Sequence, residues 1–366
     1  MRIVADTMPL DRLHFTGLRN LMRAELRPSP GINLISGANG SGKTSLLEGL
    51  HLLGLARSFR ARQLKTLIHF DCDALTVFGR LQGDPPIPLG LERRRDADTP
   101  VMKLAGERIE RVSQLAERLP LQLIDSRTFE LVEGAPKARR EYLDWGVFHV
   151  EHAFLDCWKR MRRALKHRNA LLRHGRIDRL SIDAWNQELA REAQRLDGMR
   201  EAYVARLEPL FMATLARLAE LPELSLGYYR GWDRSRSLGE VLEASVETDR
   251  QMGFTQQGPQ RADLRLKVGR RPAAEVLSRG QQKVVVSALK LAQGQLLEAL
   301  TEHHCLYLID DLAAELDLEH RRRFCELLEE QRGQSFITVI ERDTLGYRFA
   351  TEVKAFEVRA GQVSEA

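Results

Sequence analysis

Hydrophobic and polar positions divide the chain into three parts. As far as about residue 136, short apolar runs typical of strands, such as 32–35 and 74–78, are separated by breaks that contain glycine and proline. From about residue 137 to 225 the apolar positions recur at steps of three or four, as they do on one face of a helix. After about residue 258 strand and helix patterns alternate again, with strands predicted at 305–309 and 335–340.

Two long helices are predicted in the middle part. The first carries Trp158, Met161, Leu165 and Leu172, and a polar break at 175–181 follows it. The second contains apolar residues at helical spacing, namely Leu189, Ala193, Leu196, Met199, Tyr203, Leu207 and Leu210. The two helices are predicted to form either a helical hairpin, which would project as an arm, or an ordinary helical subdomain.

The pattern therefore predicts a mixed α/β head interrupted by an insertion. The N-terminal lobe of the head covers residues 1–136, the helical arm 137–257 and the C-terminal lobe 258–366. A chain of 366 residues has room for about two domains, and its 43% hydrophobic and 29% charged residues exclude wholesale disorder.

Composition also suggests a compartment. No apolar run approaches the length of a membrane span, no secretory signal is evident at the start, and the four cysteines form no C-x-x-C motif. We expect a soluble cytoplasmic protein without a membrane partner. The net charge of +5 is weak support for an acidic partner, because the chain's 46 arginines among 56 basic residues are also typical of a GC-rich genome.

The strongest motif is a G-x-x-x-x-G-K-T sequence between a predicted strand and a predicted helix. Its glycines let backbone N–H groups surround a polyphosphate, and the following helix adds the positive end of its dipole. Lysine would neutralise phosphate oxygens of ATP and threonine would bind Mg²⁺. The residues of this P-loop are Gly37, Ala38, Asn39, Gly40, Ser41, Gly42, Lys43 and Thr44.

A second motif has the form of a Walker B strand. The apolar residues 306–309 end in Asp310 and Asp311, which follow Lys43 by more than 260 positions. We assign Asp310 to Mg²⁺ and Asp311, with Lys43, to catalysis, the aspartate acting as general base for the attacking water. So long a separation fits the predicted insertion.

A third motif, Ser278-Arg279-Gly280-Gln281, precedes a helix predicted from about residue 281 to 297. Serine at such a helix start makes an anion-binding N-terminus. Between a P-loop and a Walker B strand it resembles the signature of ABC-type ATPases. The resemblance implies that Ser278, Gly280 and Gln281 of one subunit complete the ATP site of another, with residues 313–317 as the D-loop.

Taken together, the three motifs and the stretch Arg-Arg-Glu-Tyr-Leu-Asp-Trp-Gly at 139–146 resemble the RecF family of bacterial DNA replication and repair ATPases, relatives of the SMC proteins. The resemblance implies an ATP-dependent homodimer that binds DNA at gaps or junctions between single and double strands. It also implies a weak, DNA-stimulated ATPase that works with RecO and RecR, assists RecA loading and contributes to the SOS response.

Some positions depart from the family pattern. The family's usual start resembles residues 8–10, so residues 1–7 are an extension or a misplaced start. Where the family tends to read Thr-Pro-Glu, residues 125–127 are Asp-Ser-Arg. Gln122 is therefore the candidate for the glutamine of the Q-loop. ABC transporters have a histidine after the strand that corresponds to 335–340, where it acts as a switch. This chain has none there, so we expect slow ATP hydrolysis. Arg19 and Asn20 sit where related heads contact the nucleotide.

The candidate DNA surface is the first arm helix, which has no acidic residue between positions 159 and 176. Such a stripe would bind phosphates with strong salt dependence, although a solvated helix face remains the alternative. Its basic residues are Lys159, Arg160, Arg162, Arg163, Lys166, Arg168, Arg173 and Arg176, and further candidates are Arg57, Arg60 and Arg321–Arg323.

Two other classes of protein compete with this interpretation. A transporter ATPase subunit would share the three motifs, but the missing switch histidine and the helical insertion count against it. A nuclease-associated ATPase of the overcoming-lysogenisation type would need a further acidic metal cluster after the head, which the sequence does not contain.

Overall fold

The computed structural model describes residues 8–173, 178–301 and 303–366. The segment 1–7, Arg176 and part of the polar break predicted at 175–181 lie outside the described residues.

The strands are β1 (Leu10–Leu18), β2 (Leu21–Leu26), β3 (Ile32–Ser36), β4 (Ala74–Leu81), β5 (Ile87–Arg94), β6 (Val101–Leu104), β7 (Glu107–Ile109), β8 (Leu121–Ile124), β9 (Leu224–Tyr229), β10 (Asp263–Val268), β11 (Arg271–Pro272), β12 (Leu306–Ile309), β13 (Ser335–Val339), β14 (Val353–Arg359) and β15 (Gln362–Glu365). The helices are α1 (Lys43–Leu55), α2 (Val112–Arg118), α3 (Glu130–Glu133), α4 (Pro136–Val150), α5 (Phe154–Arg173), α6 (Arg179–Leu218), α7 (Leu238–Ala244), α8 (Val246–Met252), α9 (Ala273–Val276), α10 (Arg279–Thr301), α11 (Leu312–Glu315) and α12 (Leu318–Glu330).

One sheet is parallel except at its β15 edge and has the order β15-β14-β3-β13-β12-β8. Strands β3, β12 and β13 are buried at every position, as expected of parallel strands covered on both faces. The register sets Ile337 of β13 beside Leu34 of β3 and Ile309 of β12. The carboxyl ends of these strands therefore meet at one edge, where the P-loop and Asp310 follow them. The strands predicted at 32–35, 74–78, 305–309 and 335–340 are confirmed.

A second, antiparallel sheet has the order β2-β1-β4-β5-β6-β7. Its β1 packs on α1 within the main hydrophobic core, where Phe15 is fully buried. The contact is so close that a Cβ on Gly49 of α1 would clash with the Phe15 ring. A glycine inside this helix is therefore required by packing, despite its low helix propensity.

The chain forms two compact units. Unit 1 contains Met1–Thr128, Thr214–Glu220 and Lys283–Ala366, and unit 2 contains Phe129–Ala213 and Leu221–Gln282. The second unit begins before and ends after the arm predicted at 137–257, and those sequence-based domain bounds stay a prediction. Helices α6 and α10 each contribute residues to both units.

Unit 2 contains the predicted pair of long helices, α5 and α6. They run antiparallel, since Cys157 lies against Glu192 while His167 stacks on Trp185 at 4.4 Å. The region predicted as a helical arm also holds a strand, β9, which pairs with β10; β11 pairs with the other edge of β10 to complete a small sheet. β9 was missed because its partner lies more than 30 residues further along the chain.

None of the helices in the described part of the chain combines the length and the apolarity needed to cross a membrane.

Candidate nucleotide-binding site

The P-loop connects the end of β3 to the start of α1. Gly37, Gly40 and Gly42 have positive φ angles of 154°, 78° and 123°, which favour glycine. A Cβ on Gly37 would also clash with the backbone carbonyl of Val358. The loop therefore needs glycine at these positions to curl ahead of the helix N-terminus, which is the geometry that receives a phosphate group.

Lys43 and Ser41 place polar atoms inside this loop. The Lys43 Nζ donates hydrogen bonds to the carbonyl oxygens of Gly37 at 2.6 Å and Ala38 at 3.0 Å. Burial lowers the pKa of Lys43, while the charges of Asp311 and Asp310 act in the opposite direction. The Ser41 Oγ is buried and has no hydrogen-bond partner among the described atoms, so it is available to a ligand.

The two halves of the site are joined by hydroxyl groups. The Thr44 Oγ1 donates to both carboxylate oxygens of Asp310 at 3.1 Å. The Thr338 Oγ1 donates to the same carboxylate at 2.8 Å and accepts from the backbone N–H of Asp311, also at 2.8 Å. Burial raises the pKa of Asp310, and the bonds from Thr338 and Thr44 oppose that rise. Thr338, on the neighbouring strand β13, was not found in the sequence because only the strand register brings it here.

Arg19 and Asn20 follow β1 and support the P-loop. The Asn20 Nδ2 donates to the carbonyl of Ser41 at 3.0 Å, and its Oδ1 accepts from the Ser45 hydroxyl at 3.0 Å. Arg19 makes a bidentate ion pair with the fully buried Glu48 of α1. The structure therefore places both residues at the site, as expected, and shows that both also hold α1 in position.

These groups surround a cavity of about 720 Å³. Its walls include Asn39, Gly40, Gly42, Lys43, Thr44, Asp310 and Asp311 from the predicted site, together with Arg19 and Asn20. The other predicted P-loop residues, Gly37, Ala38 and Ser41, are not among the described residues that line it. Ala314 and Glu315 of the predicted D-loop also line it, and residues that sequence reasoning had not assigned to this site complete the walls, namely Ser45, Arg60, His69, Phe70, Ser126 and Thr338.

Gln122 is not in the cavity wall. It is buried on β8, where its amide donates to Gln293 at 2.6 Å and accepts from Lys290 at 2.7 Å. Its side chain is thereby committed to the interior against α10, and the suggestion that it serves as the Q-loop glutamine is wrong for this structure. Ser126, four residues later, reaches the cavity instead.

The signature residues start α10 and are exposed. The Ser278 Oγ accepts from the backbone N–H of Gln281 at 3.3 Å, and the Gln281 Oε1 accepts from that of Ser278 at 2.9 Å. This reciprocal arrangement is a capping box, which fixes the helix start. Ser278, Gly280 and Gln281 belong to unit 2 and are not among the described residues that line the cavity of unit 1.

The basic residues of α5 separate into two groups. Lys159, Arg162, Arg163, Lys166 and Arg173 lie on one exposed face, and the described residues place no carboxylate within 4.0 Å of the first four. Arg160 is exposed beside this face, 3.9 Å from Glu192. We call the five-residue set the cationic face.

Arg168 was wrongly assigned to the DNA surface. It is fully buried and donates to Asp249 and Thr255 at 2.7 Å each, and to Asn186 at 2.7 Å. The guanidinium is therefore a structural element of unit 2.

The triplet Arg321–Arg323 is also engaged structurally. Arg321 donates to the carbonyls of Leu316 and Thr344, and Arg322 donates to that of Gly346. These bonds fasten the loops around α12, which makes the triplet a poor DNA surface. Arg60 lines the nucleotide cavity and Arg57 is exposed.

Comparisons with known proteins agree with this geometry. The family model described as the RecF/RecN/SMC N terminal domain matches residues 9–363. A solved structure of an Smc head bound to the C-winged helix domain of ScpA aligns with a TM-score of 0.58 at 15% identity, covering 98% of this chain and 97% of that one. The fold and its site thus define an ATPase head of the SMC type.

Relatives with higher sequence identity show which family within this class the chain belongs to. A "DNA replication and repair protein RecF" from Chromohalobacter salexigens is 61% identical over 358 residues, covering 97% of this chain and 99% of the relative. The protein of the same name from Azotobacter vinelandii is 51% identical over 362 residues, covering 98% and 99%. A structure described as the recombination mediator RecF-ATP in the RecFOR pathway shares the fold, with a TM-score of 0.83 and 24% identity over all of both chains. The chain belongs to the RecF family.

Proposed function

We propose that this protein is an ATP-dependent switch that binds DNA during replication and recombinational gap repair, where it assists RecA loading and the SOS response. The names of its relatives support that role. The observation that carries it is the pair of 3.1 Å contacts from Thr44 of the P-loop to Asp310, which join the two halves of an ATPase site.

The residues present fit ATP and Mg²⁺. Lys43 and the N-terminus of α1 offer positive charge to phosphates, and the buried Ser41 hydroxyl has bonding capacity to spare. Thr44 and Asp310 would hold Mg²⁺ together with phosphate oxygens, since this ion needs few protein ligands when a nucleotide is present. The described residues contain no cluster of three or more acidic, histidine or cysteine side chains that would hold a metal by itself. Bound Mg²⁺ would neutralise charge on the phosphates.

Asp311 is the residue we assign to proton removal from the attacking water. Its backbone N–H is fixed by Thr338, while the carboxylate of Asp310 already accepts bonds from Thr44 and Thr338. We therefore assign Asp310 to the positioning of Mg²⁺ and Asp311 to the role of general base for the attacking water. The residue that follows the strand region 335–340 is Glu341 and not a switch histidine, so hydrolysis is expected to be slow. We further propose that bound DNA stimulates it.

The signature at the start of α10 supports an ATP-dependent homodimer. Ser278, Gly280 and Gln281 are exposed at a capped helix N-terminus, where they can meet a phosphate held by another subunit. Each ATP would then be completed in trans, and hydrolysis would open the dimer.

A mixing experiment tests this proposal. Ser278→Arg should bind ATP without dimerising, because arginine would fill the site of the γ-phosphate, and Lys43→Ala should fail to bind ATP. A heterodimer of the two variants has one intact composite site, so sedimentation of the mixture with excess ATP should recover some dimer. Arg279→Ala, a neighbouring exposed change, should dimerise normally. Normal dimerisation and hydrolysis by Ser278→Arg alone would contradict the trans site.

The cationic face of α5 is the surface we assign to DNA. Its charges point away from the buried positions of the helix, and among the described residues no carboxylate lies within 4.0 Å of Lys159, Arg162, Arg163 or Lys166. Such a face would contact backbone phosphates and not bases, which suits gaps and junctions of any sequence. RecR and RecO are the partners we propose, because a solved structure that shares this fold is described as belonging to the RecFOR pathway.

A further inference from the structure

Two aromatic residues of unit 1 line part of the nucleotide cavity, although they belong to none of the predicted motifs. His69 and Phe70 lie in the loop before β4, and their rings stack at 4.4 Å with an angle of 25° between the planes. Both line the cavity that contains Lys43 and Thr44. Phe70 is 81% exposed, which is unusual for a phenyl ring and marks a surface that can bury apolar area on binding.

The loop that carries this pair is firmly attached to the antiparallel sheet. The backbone N–H of His69 donates to the carbonyl of Gly17 at 2.8 Å, and that of Arg19 donates to Leu67 at 2.7 Å. The Arg95 guanidinium donates to the carbonyls of His69 at 2.8 Å and Cys72 at 2.9 Å. The exposed ring is therefore presented by a fixed backbone, so little further ordering is needed when a ligand packs on it.

The aromatic pair and the catalytic carboxylates come from different sheets. Asp310 and Asp311 follow β12 of the parallel sheet, while the loop that carries His69 and Phe70 is hydrogen-bonded through His69 to Gly17 at the end of β1. A nucleotide with its terminal phosphate towards the carboxylates extends its nucleoside away from them. The cavity of about 720 Å³ is within the range of small-molecule sites and exceeds what a triphosphate alone requires.

We propose that the exposed face of Phe70, backed by His69, stacks on the base of the nucleotide whose phosphates the P-loop binds. This inference rests on the proposed function of the cavity and adds the recognition of the base. Stacking of a base on an aromatic side chain is sequence-tolerant, because every base has a π face. The site therefore prefers nucleoside triphosphates to a bare triphosphate, and large purine bases to pyrimidines.

The test compares ATP with inorganic tripolyphosphate by calorimetry, using dilute protein. Phe70→Ala should weaken ATP binding by about 5- to 150-fold, the range expected of one base–aromatic stack, and leave tripolyphosphate binding unchanged. Phe70→Trp should restore ATP affinity, and its indole fluorescence should change with ATP but not with tripolyphosphate. Leu180→Ala, which removes an 82% exposed side chain in unit 2, is the matched control and should change neither affinity.

Other outcomes separate this inference from the function on which it rests. Equal affinity of Phe70→Ala and the unchanged protein for ATP, with binding lost in Lys43→Ala, would overturn the stacking role and leave the nucleotide site intact. Equal loss of ATP and tripolyphosphate binding in Phe70→Ala would also overturn it, since stacking cannot affect a ligand without a base. Unchanged binding of both ligands by Lys43→Ala would contradict the nucleotide site itself.

Discussion

The nucleotide cavity of unit 1 and the cationic face of unit 2 would attract phosphate in different ways. The cavity uses one buried ammonium, Lys43, within a loop of fixed backbone. The cationic face uses exposed side chains on one helix. Because salt screens exposed charges much more than buried ones, we expect ATP binding to tolerate salt and DNA binding to depend on it strongly.

The same contrast occurs within α5 itself. Arg163 is exposed, whereas Arg168, five residues later, is fully buried against Asp249. Two identical side chains on one helix therefore have different roles, one available to a partner and the other holding the unit together.

The largest effect is expected when Arg168 is changed. Arg168→Ala leaves Asp249 buried without its cation and should lower the free energy of unfolding by about 3–5 kcal/mol. Arg163→Ala should change it by less than about 0.5 kcal/mol. Denaturant unfolding followed by tryptophan fluorescence measures both, and similar values for the two variants would refute the distinction between the faces.

Removal of the buried ammonium should have the next largest effect. Lys43→Ala is expected to abolish detectable ATP binding, a loss of about 100-fold or more, since charge-assisted hydrogen bonds to phosphate are lost. Calorimetry at two salt concentrations measures this loss, with the exposed Lys103→Ala as control. A Lys43→Ala protein that still bound ATP tightly would mean that backbone groups alone hold the phosphates.

Charge reversal on α5 should affect DNA binding but not ATP binding. With Arg162, Arg163 and Lys166 changed together to glutamate, the slope of log affinity against log salt should fall by about 0.9 for each lost phosphate contact. Arg108→Glu, at an exposed position in unit 1, should leave the slope unaltered. An unchanged slope in the triple variant would show that the face is merely solvated.

A smaller effect is expected on the pH dependence of folding stability, through Asp310. Burial raises the pKa of this carboxyl in the folded protein, so its protonated form favours folding. That contribution is complete below the unfolded pKa of about 4 and disappears as pH rises through the folded pKa. Asp310→Asn should therefore stabilise the nucleotide-free protein at pH 7 and have no such effect near pH 4.

Urea unfolding at the two pH values measures the difference. Asp84→Asn, at an exposed position, should show no comparable gain. A loss of stability at pH 7 in Asp310→Asn would indicate that the bonds from Thr44 and Thr338 outweigh the burial of charge.

The P-loop was predictable because its geometry is contained in eight consecutive residues and depends on glycine. Asp310 was predictable from the apolar strand before it. Thr338 was not, since only the pairing of β12 with β13 brings its hydroxyl to Asp310. Phe70 gives no sequence signal, because its role depends on where its loop is attached.

The burial of Arg168 did have a signal, although the charge pattern concealed it. The buried positions of α5 follow steps of three or four, and Arg168 occupies one of them between Ala164 and Leu172. Helical spacing therefore predicts its direction correctly, whereas counting basic residues does not.

DNA binding with and without nucleotide tests the central claim most directly. The dissociation of a labelled gapped duplex should be followed for the unchanged protein and for Asp311→Asn, with and without ATP and Mg²⁺. We predict a stable complex only with ATP, and a longer-lived one for Asp311→Asn because hydrolysis no longer releases it. Equal DNA affinity without ATP, or equal lifetimes for the two proteins, would contradict an ATP-gated switch.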